Sequence, residues 1–269
     1  MNKHVITPLM DRQLELMAQA ASWLFLPGHL PQRLEQAQAC GAHALVVDLE
    51  EFTPKDQQRQ ACQAFYDFAD ACRARHRLPM VRINRLEDSG AHELKLLMAA
   101  RPAAVFLPRV EQPAQLQALA ALLDACEAEL DMTPGSTVIV PTLESRTGLE
   151  RAGELLVVSP RLRAALIGTG DLATDLQLPP EMPFETRIET IRPYRERFLA
   201  DCQAAGVQAI DGPWSAPLPF EQDQNWSVAL GFRARCVVNT EQLPALHLSL
   251  NNKQKDSSDS HHTPERNNP

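Results

Sequence analysis

A chain of 269 residues is long for an average domain but matches a single α/β barrel, a fold that needs about 250 residues. With 44% hydrophobic and 22% charged residues it can bury a sizeable core, which excludes disorder along its whole length. A net charge of −8, from 26 basic against 34 acidic residues, offers no footprint for a polyphosphate backbone, so no nucleic-acid partner is expected and small molecules come first.

In chain order, residues 10–21 carry Leu14, Met17 and Ala18 at helical spacing behind Asp11 and predict a leading helix that caps the bottom of the fold. Short runs rich in Val, Ile, Leu and Phe follow at 23–26, 44–49, 80–83, 104–107, 138–143, 164–167, 207–210 and 236–238. Nearly continuous apolar runs of this length suit strands covered on both faces, as in parallel sheets. Helical patterns fill the gaps, over 31–40, 54–75, 90–100, 113–130, 147–157, 185–205 and 219–230. Thr53-Pro54 opens the second of these, and Gly41 stops the first. Alternation repeated eight times favours an α/β fold closed as a (βα)8 TIM barrel, and no G-x-G-x-x-G supports an open sheet.

The expected organisation is a helical segment over 1–21, a catalytic barrel over 22–248 and a disordered polar tail over 249–269, because no aliphatic or aromatic residue follows Leu250. His261-His262 in that tail reads as solvated rather than metal-binding. Residues 21–26 are too short to span a bilayer or serve as a signal, so no membrane association and a cytoplasmic location are expected. Cys40, Cys62, Cys72, Cys126, Cys202 and Cys236 lack C-x-x-C spacing and read as reduced thiols.

In such a barrel the site forms at the C-terminal ends of the strands, and here those ends are unusually polar. Strand two ends in Asp48, Glu50 and Glu51, strand three in Arg82 and Asn84, strand four in Arg109 and Glu111, strand five in Glu144, strand six in Asp171 and strand seven in Asp211. Several acids and two arginines converging on one mouth need compensation, most simply by a divalent cation. Glu144 and Asp171 are the expected ligands. Mg2+ keeps several waters and wants few protein ligands, and all-oxygen ligation favours Mg2+ or Mn2+ over zinc. The alternative is that both carboxylates cap the helices that follow them. Arg82, flanked by apolar residues, should emerge from the barrel wall and offer its planar fork to a substrate carboxylate or an oxyanion; a buried ion pair with Asp48 or Glu50 is the alternative. Asn84, Arg109, Asp211 and the backbone of Gly170 are expected to line the substrate site, with Pro27-Gly28 close by.

These motifs resemble a known family. LFLPGHLPQRLEQAQACGAHALVVDLEE is similar to the opening of citrate lyase β-subunits, in the HpcH/HpaI aldolase/citrate lyase superfamily, and VRIN, FLPRVE, VPTLESRTGLE, IGTGDLATDL and AGVQAIDGP follow in the family's order. The resemblance covers about residues 22–243. It implies a barrel enzyme, trimeric or built from trimers, that cleaves or forms a C–C bond in 3-hydroxyacyl-CoA thioesters such as citryl-, malyl- or citramalyl-CoA, releasing acetyl-CoA and a 2-oxo acid. Carried across by motif, Glu144 and Asp171 hold Mg2+, Arg82 binds the oxygen on which charge develops, and Asp48, Glu50 and Glu51 surround Arg82 and the metal water.

The sequence departs from the family's pattern in several places. The arginine-proline pair after strand one, which helps hold CoA in the family, reads Leu30-Pro31, although Arg33 remains. The lysine of L-P-K-x-E is Arg109, and the histidine-proline after strand eight is Asn239-Thr240. A C-terminal helical lid that can supply an acidic residue is not expected here, which leaves the general base unassigned, and short lid-less relatives linked to citramalyl-CoA look most similar. Two other functions compete with the acyl-CoA lyase. A class II aldolase acting on a free 2-oxo acid without CoA gains from the lost arginine, but such relatives carry a histidine where this chain has Phe52-Thr53-Pro54. A barrel that has lost catalysis and serves as a binding or assembly subunit gains from Arg109 and Asn239-Thr240.

Overall fold

Eight parallel strands pair in chain order, and the pairing of the last with the first closes them into a barrel. The computed structural model describes residues 8–214 and 220–259. The strands β1 (Ser22–Pro27), β2 (Ala44–Asp48), β3 (Pro79–Arg82), β4 (Ala104–Leu107), β5 (Val138–Leu143), β6 (Ala164–Ile167), β7 (Gln208–Asp211) and β8 (Ala234–Val237) fall on the predicted apolar runs. Around them run α1 (Pro8–Gln19), α2 (Pro31–Ala37), α3 (Gln58–Ala74), α4 (Ala91–Leu97), α5 (Pro113–Glu129), α6 (Arg146–Glu150), α7 (Ala152–Leu155), α8 (Thr169–Asp175), α9 (Phe184–Ala205), α10 (Phe220–Leu230) and α11 (Leu243–Asp259).

Side chains alternate across each strand, and this splits the core in two. One apolar cluster lies between strands and helices, and the other fills the barrel itself. Inside, bulk on one side faces small residues on the other. Trp23 and Phe25 meet Phe106 edge to face at 5.8 and 5.2 Å, while Ala164 and Ala234 complete the layers. Met17 in the last turn of α1 and Ala20 just after it join this interior cluster, so the leading helix does close the bottom. The Gln13 side-chain amide pins it by donating to the carbonyls of Ala103 and Ser136 at 3.1 and 2.9 Å.

Two elements differ from expectation. A short helix, α8, starts at Thr169 directly after β6, between the helices predicted over 147–157 and 185–205. The polar segment from residue 249 does not begin as disordered tail. Leu243, Leu246 and Leu250 are buried at helical spacing, and the helix they seed continues to Asp259. Residues 260–269 lie outside the described residues, and with them His261-His262. The six cysteines are free thiols, and no helix among the described residues is long and apolar enough to cross a membrane.

Helix α11 is tied to the barrel bottom through histidines. Ser22 Oγ accepts the backbone N–H of His43 at 3.0 Å and lies 2.8 Å from His43 Nδ1 and 3.0 Å from His247 Nε2. A hydroxyl has one proton to give, so it donates to one ring while the other ring donates to it. Burial lowers both histidines, and His247 and Arg77 lower His43 further. The unfolded rings therefore take up protons at higher pH than the folded ones, and the pair stabilises the fold only while neutral. We expect the thermal midpoint to fall as pH drops below about 6.5, and His247→Gln to reduce that fall. An identical pH dependence in variant and parent would refute the coupling.

Candidate active site

Strand parity decides which polar residues reach the mouth. Val46, Met80, Val140 and Ile210 lie in the interior cluster. Two residues further toward the C-terminal ends, the same parity aims Asp48, Arg82 and Thr142 inward, with Glu144 beyond Thr142; Asp211 has the opposite parity.

Arg82 is 5% exposed and is gripped by the end of β2. Its Nε and Nη2 donate to Asp48 Oδ1 and Oδ2 at 2.7 and 2.5 Å, and Glu50 and Glu51 carboxylates stand 3.2 Å from Nη1 and Nη2. Phe25 and Phe52 offer ring faces to the guanidinium at 5.2 and 5.9 Å. Burial opposes the charge, but Asp48 and Glu50 raise the arginine further above its ordinary value. Asp48 also accepts the backbone N–H groups of Glu50, Glu51 and Phe52, so one carboxylate sets both the turn after β2 and the direction of the arginine. The buried ion pair that the sequence offered as an alternative exists, at the barrel mouth. Burial also raises Glu50, helped by Asp48, Glu51 and Asp171 against Arg82.

Glu144 follows β5 and is 4% exposed. Its Oε1 accepts the backbone N–H of Arg109 at 2.7 Å. It does not cap α6; Ser145 does, accepting the N–H of Gly148. Burial, then Asp171, pushes the Glu144 carboxyl up to about 8, with Arg82 opposing. Gly168 makes room for it, since a Cβ there would lie 2.5 Å from Glu144 Oε2. Asp171, in the first turn of α8, makes no capping bond and is partly exposed. Arg109 bridges the two carboxylates. Its backbone holds Glu144, from a left-handed conformation at φ 52°, and its half-exposed guanidinium lies 3.4 Å from Asp171 Oδ1.

The remaining expected residues divide. Gly170 is exposed on α8 beside Asp171, with open space where a Cβ would stand. Arg33 is exposed on α2 and lines a cavity of about 520 Å³ between the ends of β1 and β8, together with Asn239 and Thr240. Asn84 is half-buried and locked, its amide donating to the carbonyl of Leu49 at 3.0 Å and to Glu93 Oε1 at 2.7 Å. Gly28 packs against Ala61 and Val47, so its missing side chain serves helix packing.

Asp211 is a correction. It is fully buried behind the sheet, where its carboxylate pairs with Arg195, accepts Ser227 Oγ at 2.5 Å and lies 3.8 Å from Arg235. Asp223 completes the network, 2.7 Å from Arg195 and 2.6 Å from Arg235. Burial opposes ionisation of Asp211, yet Arg195 and Arg235 hold it below its ordinary value. The parity of β7 sends it outward, so it does not line the mouth as expected.

Sequence reasoning also missed two groups. Thr142 faces inward below Glu144, and its buried hydroxyl lacks a hydrogen-bond partner among the described residues. Its two-residue spacing from Glu144 was the available signal. Glu93 of α4, which fixes Asn84, carried no signal, because helical position alone does not show what lies beneath.

Residues 21–239 match the family described as HpcH/HpaI aldolase/citrate lyase. A (3S)-malyl-CoA thioesterase of Cereibacter sphaeroides is 27% identical over 220 residues, covering 80% of this chain and 67% of that protein. The citrate lyase subunit beta of Escherichia coli is 26% identical over 230 residues, covering 84% and 75%. Among solved structures, a citrate lyase beta subunit from M. tuberculosis complexed with oxaloacetate and magnesium superposes with a TM-score of 0.72 at 22% identity, covering 88% of this chain and 99% of that one.

Asp211→Ala should cost about 3–5 kcal/mol in urea denaturation, because it leaves two buried arginines undercompensated. A normal unfolding midpoint with a raised KM would restore Asp211 to substrate binding.

Proposed function

The chain belongs to the HpcH/HpaI aldolase/citrate lyase family, and on that premise we propose that it cleaves, or in reverse forms, the C–C bond of a 3-hydroxyacyl-CoA thioester. The substrate is of the citramalyl-, malyl- or citryl-CoA type, the products are acetyl-CoA and a 2-oxo acid such as pyruvate, glyoxylate or oxaloacetate, and Mg2+ is the cofactor. The observation that carries this reading is the convergence of Glu144 and Asp171 with Arg82 at one barrel mouth.

The donor set fits a hard dication. Both candidate ligands are carboxylates, and the space above Gly168 keeps Glu144 Oε2 clear of any side chain at that position. The described residues hold no cluster of three or more His, Cys, Asp or Glu able to bind a metal, so Glu144 and Asp171 would hold an ion that keeps waters and takes oxygen from the substrate. When bound, such a cation polarises the oxygen of the 2-oxo acid portion and orients it.

The chain's own residues supply the rest. Asp48 occupies Nε and Nη2 of Arg82, which leaves Nη1 to meet the thioester oxygen as enolate charge collects there. Glu50 stands 3.2 Å from that nitrogen, and its raised carboxyl suits the transfer of the β-hydroxyl proton during cleavage. The cavity lined by Arg33 and Asn239 offers a cationic edge for CoA beside the mouth. Assembly into trimers belongs to the same reading.

A panel of citramalyl-, malyl- and citryl-CoA with product mass spectrometry tests it. Acetyl-CoA plus a 2-oxo acid is expected. Free CoA plus a hydroxy acid would make the protein a thioesterase, turnover of the CoA-free acids an aldolase, and no turnover a binding subunit; each would overturn the lyase. Glu144→Gln and Asp171→Asn should each cut metal-dependent turnover at least about a hundredfold with the fold intact. Arg82→Lys should lower kcat by about 10²–10³ while metal affinity measured by calorimetry holds, since a point charge replaces a fork. Equal loss of both would make Arg82 a structural residue.

A further inference from the structure

The opposite end of the barrel holds a second cavity, of about 390 Å³, roofed by α1. Arg12, Arg73, His76, Arg77 and Arg101 surround it, and no acidic residue lines it. That is a sharp local excess in a chain of net charge −8. Leu16, Leu78 and Met132 contribute apolar wall. The volume lies in the range of small-molecule pockets, about 300–1,000 Å³.

Part of this charge has a local explanation. Arg73 and His76 sit at the C-terminal end of α3, where the helix dipole favours cations. Arg73 donates to the carbonyl of Ala100 at 2.8 Å and pairs with exposed Asp70 at 2.7 Å, and Arg77 donates to the carbonyl of Ala42 at 2.9 Å, which fixes both guanidinium heads. Arg12 has no such explanation. It lies inside α1, one turn before Leu16 on the same face, and neither its side chain nor that of Arg101 has a hydrogen-bond or ion-pair partner among the described residues. The Gln13 amide clamps α1 in place, so this wall is held against the barrel.

We propose that this cavity binds a small amphipathic anion, an organic carboxylate or phosphate ester whose apolar body lies on Leu16, Leu78 and Met132 while its head meets Arg12 and Arg101. The site is separate from the catalytic mouth by the length of the barrel. Charge complementarity selects the head, and the aliphatic wall distinguishes the ligand from a free inorganic ion.

Calorimetric titration of the full chain with octanoate and octyl phosphate tests this, with inorganic phosphate and 1-octanol as probes that carry only one of the two properties. Either amphiphile should bind at least tenfold more tightly than both single-property probes, and the tighter one identifies the head group. Arg12→Glu/Arg101→Glu should weaken that binding at least tenfold with the thermal midpoint held. Leu16→Asp, a partly exposed position, serves as a second variant from the apolar side and should do the same. Absence of amphiphile binding, equal binding of phosphate or octanol, or affinity unchanged in a folded variant would each overturn the proposal.

Discussion

The mouth of this barrel is built on one buried cation. Arg82 is set in the wall by Asp48, and Asp48 is set by three backbone N–H groups of the turn it belongs to. Removing a partner from such a pair strands a charge in low dielectric, so loop, arginine and carboxylate hold or fail together. The charges around this unit do not balance. Asp48, Glu50, Glu51, Glu144 and Asp171 face Arg82 and the half-exposed Arg109; burial first, and then the neighbouring carboxylates, raise Glu50 and Glu144. An excess of negative charge around a largely buried mouth is costly unless something positive completes it, and this supports the cation proposed for it.

The network behind β7 and β8 is the contrast. Arg195, Arg235, Asp211 and Asp223 are equally buried, but two arginines meet two aspartates. Trp226 stacks on Arg195 at 4.4 Å and Ser227 closes a remaining lone pair. A closed, neutral and hydrogen-bonded network fastens helices to strands and leaves nothing for a ligand. Beside β5, buried Arg161 meets buried Glu127 one to one, with Asp124 as an exposed outer partner. Within this molecule, the imbalance of buried charge separates the catalytic candidate from structural polarity better than burial or residue type does.

The departures from the family pattern acquire structural meaning. Arg109 keeps the positive charge of the lysine it replaces and joins both candidate metal ligands, one through its backbone and one through its side chain. Asn239 caps the short helical turn after β8 through the N–H of Glu241, so this position now shapes the rim of the cavity that Arg33 lines.

Periodicity alone was sufficient for eight strands, their order and the leading helix, because a strand buried on both faces must be apolar throughout and the helix between must be amphipathic. Which end of the barrel would carry chemistry was also legible, from the polar residues directly after those runs, and the resemblance of VPTLESRTG and IGTGDL placed Glu144 and Asp171 there. Asp211 shows the limit. One residue's shift along β7 exchanges the interior for the helical layer, and a four-residue apolar run does not reveal which parity the closed barrel imposes. Nor could sequence show that Leu250 seeds a helix through polar residues, that Gly168 clears space for Glu144, or that Glu93 lies beneath Asn84. The sequence by itself determined the architecture and the list of charged residues at the strand ends. Only the tertiary structure decided which of those charges are balanced, because compensation depends on neighbours that closure of the barrel brings together from distant parts of the chain.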